Sequence, residues 1–151
     1  MSMVKKDDVK IRRMTRSDIQ AVLILDRKMS EGRGVLSYKD MAAVDPGGPL
    51  DLSFVAEVEG KVIGFIMTRL AYLMIPFIEV CIMQGIVVDP DYRGRGIGGK
   101  LLDELLDYCQ AEEINTIRAI VPQGNEKLRL FIEAHGFRRS TIINYDKTFE
   151  S

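Results

Sequence analysis

The feature that most constrains this chain is a run of four glycines within six positions, Gly94, Gly96, Gly98 and Gly99, placed just before an amphipathic segment. Leu101, Leu102, Leu105, Leu106 and Cys109 follow at helical spacing, so the glycines stand at the start of a helix. Helix starts do not otherwise need four residues without side chains. Here their backbone amides are left uncovered, and the positive end of the helix dipole adds to them. Together these make a site for phosphate. Arg93, Arg95 and Lys100 place positive charge beside it.

Two familiar phosphate loops fit this run poorly. Gly94-x-x-x-x-Gly99-Lys100 begins like a nucleotide P-loop, but the next residue is Leu101 where a Ser or Thr is needed to hold magnesium. Gly94-x-Gly96-x-x-Gly99 matches the dinucleotide fingerprint. That motif, however, follows a strand directly and is answered by an acidic residue about 20 positions on, at the end of the second strand. Here Asp89-Pro90-Asp91-Tyr92 intervenes, and Glu112 and Glu113 precede the next β-rich run, Ile117 to Val121.

The elements around the loop set the fold class. Val9 to Met14 reads as a short strand, and Thr15 with Asp18 as a helix-starting box before Ile19, Val22, Leu23 and Leu25. Ser30 to Leu52 is irregular, with a short helix expected over Tyr38 to Ala43. Phe54 to Val58 and Lys61 to Leu70 form a hairpin about Glu59-Gly60, and a third β-rich run covers Phe77 to Val88. Gln84-Gly85 interrupts that run, which predicts a bulge. Thr116 to Val121 reads as a strand, Asn125 to His135 as a helix stopped by Gly136, and Phe137 to Phe149 as one or two further strands. The expectation is one α/β domain over residues 1–151, with a mixed, largely antiparallel sheet flanked by helices.

Composition narrows the function. With 151 residues the chain is long enough to bury roughly 70% of its unfolded surface without metal or disulfide. A net charge of -1 argues against a nucleic-acid coat. Cys81 and Cys109 form no CxxC pair, and one histidine, His135, leaves no structural zinc set, so no metal is expected. Met1 to Lys10 has no apolar core and Leu70 to Ile78 is too short to span a bilayer, so a cytoplasmic protein with no membrane role is expected.

Taken together, Ile86-Val87-Val88-Asp89-Pro90-Asp91-Tyr92-Arg93-Gly94-Arg95-Gly96-Ile97-Gly98 resembles the GNAT superfamily of N-acetyltransferases. Arg93, Gly96 and Gly98 match that family's Arg/Gln-x-x-Gly-x-Gly/Ala motif. A second family motif is matched by Asn125, Phe131, Gly136 and Phe137. The resemblance covers roughly residues 9 to 149 and is specific from 86 to 137.

The resemblance implies a GNAT-like fold and direct transfer of the acetyl group of acetyl-CoA to a primary amine. Arg93, Gly94, Arg95, Gly96, Ile97 and Gly98, with Gly99 and Lys100, would hold the pyrophosphate. Ile86, Val87 and Val88 would meet the pantetheine arm and thioester, with Asn125 and Phe131 contributing from the next helix. A backbone N–H at the Gln84-Gly85 break would face the thioester carbonyl. Asn125 serves equally well as a simple helix cap. Two proton tasks remain. Glu79, directly or through water, and Gln84, by orienting that water, are candidates for deprotonating the amine. The family often has a Tyr where Phe131 stands, so protonation of the thiolate falls to Tyr145, to water, or to no acid at all. His135 suits a helix end, and the two thiols read as inert core.

A non-catalytic acyl-CoA-binding regulatory module is the alternative reading. The acceptor, a small molecule or a protein amine, would be recognised by Met29 to Leu52, which holds Glu31, Arg33, Asp40, Asp45 and Asp51, and by the 70–78 connection. Val9 to Met29 is loosely similar to protein α-amine acetyltransferases. Tyr72, Leu73, Met74, Ile75 and Phe77 make that connection a homodimer contact, a wall of an acceptor cleft, or ordinary strand and core.

Overall fold

A computed structural model describes residues 8–29 and 34–150. The chain divides into two compact units, Met1–Ile120 and Val121–Ser151, each described here by itself. Glu31 and Arg33 lie outside the described residues.

The first unit is a five-stranded sheet in the order β1-β2-β3-β4-β5. Its strands are β1 (Lys10–Arg13), β2 (Phe54–Val58), β3 (Lys61–Leu73), β4 (Ile78–Val88) and β5 (Ile117–Ala119). The first four are antiparallel neighbours and β5 runs parallel to β4. Glu59 and Gly60, with φ of 51° and 79°, make the left-handed two-residue turn that matches strand twist in a tight hairpin. Residues 62 to 68 of β3 are buried without alternation, as a central strand covered on both faces requires.

Among the described residues, three α-helices belong to this unit: α1 (Ile19–Met29), α2 (Tyr38–Val44) and α3 (Ile97–Ala111). Val55, Val62, Phe65 and Met67 from the sheet join Met14, Val22, Leu23, Leu25 and Met41 in one buried cluster. Gly64 faces the other way, since a Cβ there would lie 3.5 Å from Leu101 Cδ1 of α3. The sheet therefore carries α1 and α2 on one face and α3 on the other. The box anticipated at Thr15 is present, with Thr15 N donating to Asp18 Oδ2 at 2.8 Å. Arg12 completes it by donating to both Asp18 oxygens at 2.9 and 2.8 Å.

Two expectations are corrected. The Leu70–Ile78 region is not core: β3 and β4 continue past their neighbours into a hairpin whose tip exposes Met74, Ile75 and Phe77. The strand expected over Thr116 to Val121 shortens to three half-buried residues, Ile117–Ala119.

The second unit holds α4 (Glu126–Ala134), capped by Asn125, whose side chain accepts from Leu128 N at 3.1 Å. Gly136, at φ 89°, ends it, and Phe137 N donates back to Ile132 O at 3.1 Å. The strands expected over Phe137 to Phe149 do not form among the described residues. Ile142, Ile143, Tyr145 and Phe149 give that segment a β-like composition, but they are exposed and the unit supplies no strand to pair with.

Candidate functional site

The end of β4, the turn after it and the start of α3 converge as anticipated. Asp89 closes the strand, and its side chain accepts from Asp91 N at 2.9 Å, capping a 3₁₀ turn (Pro90–Tyr92). Gly96 is the N-cap of α3 at φ 74°, a conformation that disfavours any other residue, and no side chain caps the helix. The first intrahelical bond is Lys100 N to Gly96 O at 3.0 Å. The amides of Ile97, Gly98 and Gly99 precede it, so they have no intrahelical acceptor. A Cβ at Gly94 would meet nothing within 4 Å, so the space beside that residue is open. Arg93 and Arg95 are exposed beside it, the Arg95 guanidinium lying 5.1 Å from the Tyr92 ring centre.

The strand leading in is half open. Cys81 N donates to Thr116 O at 2.9 Å, and β5 pairs with β4 only from Cys81 to Met83. At its other end, Asp89 N donates to Ile63 O at 2.7 Å. Alternation of an antiparallel ladder then turns the main-chain groups of Val88 and Ile86 away from β3, toward the side that β5 has left. Between these stretches lies the anticipated bulge: Thr68 pairs with Met83 and Met67 with Gly85, leaving Gln84 as the extra residue. An open strand edge followed by an uncapped helix start fits a long acyl carrier with a pyrophosphate at its far end.

The remaining candidates are dispersed. Glu79 lies five positions before Gln84, roughly 17 Å along the strand. It faces Tyr72 across the hairpin, and its carboxylate pushes the Tyr72 phenol above its ordinary value. Asn125, Phe131 and Tyr145 belong to the second unit. There Asn125 caps α4, the Phe131 ring sits 4.7 Å from that of His135, and Tyr145 is 91% exposed. His135 Nδ1 lies 2.9 Å from Phe131 O, one helical turn back. Cys81 and Cys109 are both buried, and the neighbouring Cys109 thiol, with burial, pushes the Cys81 thiol up, away from the thiolate.

Sequence reading missed Lys28. Its ammonium reaches Asp89 and Asp91 from the last turn of α1, across 61 positions of chain, and no local signal announces such a contact. Burial alone would raise the Asp89 carboxyl, but Lys28 and the Asp91 amide outweigh it and hold the group below the usual carboxylate range. Among the described residues, no three His, Cys, Asp or Glu side chains gather as a metal site, and no helix is long and apolar enough to cross a membrane.

Residues 23–137 match the acetyltransferase (GNAT) family. An N-acetyltransferase of Methanocaldococcus jannaschii is 32% identical over 91 residues, which cover 60% of this chain and 40% of that protein. The ribosomal protein bS18-alanine N-acetyltransferase of Escherichia coli is 29% identical over 91 residues, 60% of this chain and 57% of its own. The chain thus spans 40% to 57% of the length of these curated relatives. The crystal structure of the S18-alanine enzyme from Escherichia coli shares the fold at a TM-score of 0.73 and 24% identity, over 88% of this chain and 79% of that one. The aminoglycoside N-acetyltransferase AAC(6')-Iy in complex with CoA does so at 0.74 and 20%, over 92% and 94%.

Proposed function

Because this chain belongs to the GNAT acetyltransferase family, we propose that it is an acetyl-CoA-dependent N-acetyltransferase acting on a primary amine. The observation that carries this reading is the junction of an open β4 edge, a bulge at Gln84 and an uncapped glycine start to α3. We take residues 1–151 as one catalytic domain, since the family match runs across residue 120, where the two units divide.

Acetyl-CoA supplies an activated acyl carbon on a thiol leaving group. The amides of Ile97, Gly98 and Gly99, with Arg93, Gly94, Arg95 and Lys100, bind the pyrophosphate. Ile86 and Val88 offer main-chain groups to the pantetheine arm and Val87 lines the same strand, while Asn125 and Phe131 serve it from α4. The bulge at Gln84-Gly85 supplies a backbone N–H for the thioester oxygen, where negative charge develops during attack. Gln84, at the bulge, orients a water that takes up the ammonium proton, and Glu79, roughly 17 Å along the strand, receives that proton only through a chain of further waters. The amine nitrogen then bonds to the acyl carbon as the carbon–sulfur bond breaks. The thiolate receives its proton from Tyr145 or from water.

The acceptor is an amine of a protein or a small molecule. The Escherichia coli relative, named for an alanine of ribosomal protein bS18, supports a protein amine as the first class to test. The aminoglycoside enzyme of like fold supports a small polyamine as the second. Two buried free thiols and a near-neutral charge favour a reducing cytoplasm and no nucleic-acid partner. The exposed apolar tip of the β3–β4 hairpin supports pairing of two copies.

Calorimetric titration with acetyl-CoA, against ATP–magnesium and NAD, tests the reading. Selective micromolar binding, about 8 kcal/mol, followed by amine-dependent thiol release, establishes it. Binding with no thiol release for any amine leaves the non-catalytic acyl-CoA module, and no binding overturns both.

A further inference from the structure

The last turn of α1 grips the segment that leads into the glycine loop. Lys28 Nζ lies 2.9 and 3.0 Å from the two carboxylate oxygens of Asp89 and 2.8 Å from Asp91 Oδ2. One residue on, Met29 Sδ accepts from the Arg93 guanidinium at 3.7 Å. The Asp89 side chain is 2% exposed and tied at both ends: its amide donates to Ile63 O, and Oδ1 accepts from Asp91 N. Asp91, by contrast, is 73% exposed.

This arrangement sets two carboxylates within eight residues of Ile97, the first amide of an anion-binding helix start. Uncompensated, they repel an incoming pyrophosphate and each other. The ammonium of Lys28 cancels one of the two charges and holds the 3₁₀ turn that aims Arg93 and Gly94. Asp89, buried and hydrogen-bonded, is the fixed end of the clamp, and Asp91 is the adjustable one.

We propose that Lys28 is a positioning residue for the pyrophosphate site, acting through Asp89 and Asp91 without touching the ligand. The inference rests on the acetyl-CoA reading above. It goes further in assigning a role to a residue of α1 that lies outside the glycine motif.

The test is calorimetric titration of the full chain with coenzyme A. Wild type is compared with Lys28→Arg, Lys28→Met, Asp91→Asn and the double variant Lys28→Met/Asp91→Asn. We expect Lys28→Met to weaken binding about tenfold, equivalent to roughly 1.4 kcal/mol, and Lys28→Arg to stay within about threefold of wild type. The double variant should regain most of the loss, because removing the exposed carboxylate removes the repulsion that Lys28 offsets. A purely structural role predicts no such rescue. The proposal is overturned if Lys28→Met binds like wild type, or if the double variant is no better than Lys28→Met. Should Lys28→Met fail to fold, Asp91→Asn alone decides. With Lys28 then neutralising a single carboxylate, it should bind coenzyme A about two- to threefold more tightly, and unchanged or weaker binding overturns the proposal. Wild type that binds no coenzyme A instead overturns the acetyl-CoA reading itself.

Discussion

Tyr72 and Glu79 stand directly opposite one another across the β3–β4 hairpin, placing a phenol beside a carboxylate. The Glu79 carboxylate pushes that phenol above its ordinary value of 10.0. The base proposed for the amine is therefore a half-buried carboxylate that faces a tyrosine across the hairpin.

If Glu79 takes the amine's proton, Glu79→Gln lowers the rate by roughly 100-fold, the size of a lost general base. The loss is concentrated from low pH to neutral or slightly alkaline pH. At higher pH the acceptor already arrives as free amine and the deficit narrows. Tyr72→Phe keeps the carboxylate and should stay within about threefold of wild type. A pH–rate profile unchanged by Glu79→Gln removes Glu79 from the mechanism.

Gly96 is the N-cap of α3 at φ 74°. Gly96→Ala should cost about 1–2 kcal/mol, the penalty of left-handed backbone for a residue with a Cβ. Thermal unfolding reads that cost. Titration should show acetyl-CoA binding falling by at least about tenfold, because tilting the first turn misdirects the amides of Ile97, Gly98 and Gly99. A stable variant that binds normally would show that the loop amides do not hold the ligand.

Arg12 and Asp18 predict an acid dependence of stability. Burial alone raises the Asp18 carboxyl, but the hydrogen bonds from Arg12 and the Thr15 amide prevail, leaving it below its ordinary 3.8. A carboxyl depressed in the folded state stabilises the protein fully above its unfolded pKa, and that contribution fades as pH falls through the folded value. Arg12→Met should therefore destabilise by about 2 kcal/mol at pH 7. Its denaturation midpoint should converge on that of wild type as pH falls through the lowered Asp18 value. A gap that stays constant with pH would mean that Arg12 acts by packing alone.

The hairpin tip gives the oligomer prediction. Ile75 is 92% and Phe77 75% exposed, beside exposed Met74. Ile75→Glu and Phe77→Glu, each on exposed surface, should change folding stability by less than about 0.5 kcal/mol while converting a dimer to monomer in sedimentation. If wild type already sediments as a monomer, the apolar tip has another partner.

Several features were legible because their signals are local. Glu59-Gly60 specifies its turn through two positive φ values, and Thr15-Asp18 specifies a helix start through short-range hydrogen bonds. Gln84-Gly85 announces its bulge by breaking an apolar run. The glycines before Leu101 expose helix amides wherever the helix is docked. Composition misled at Ile142, Ile143 and Tyr145, since β-like residues become a strand only where another strand offers its edge. At Leu70–Ile78 hydrophobicity pointed to burial, but whether apolar side chains are covered depends on where the sheet ends.

The sequence by itself determined the element order from β1 to α4, the turn and cap residues and the glycine start of α3, because each depends on residues within one or two turns of one another. Only the tertiary structure decided that β5 leaves β4 after Met83, that Ile86 and Val88 turn their main-chain groups to the open side, and that Lys28 reaches Asp89 and Asp91. Those facts join residues tens of positions apart. They follow from how strands register and helices dock, which depends on the whole set of packed contacts and is written in no single stretch of chain.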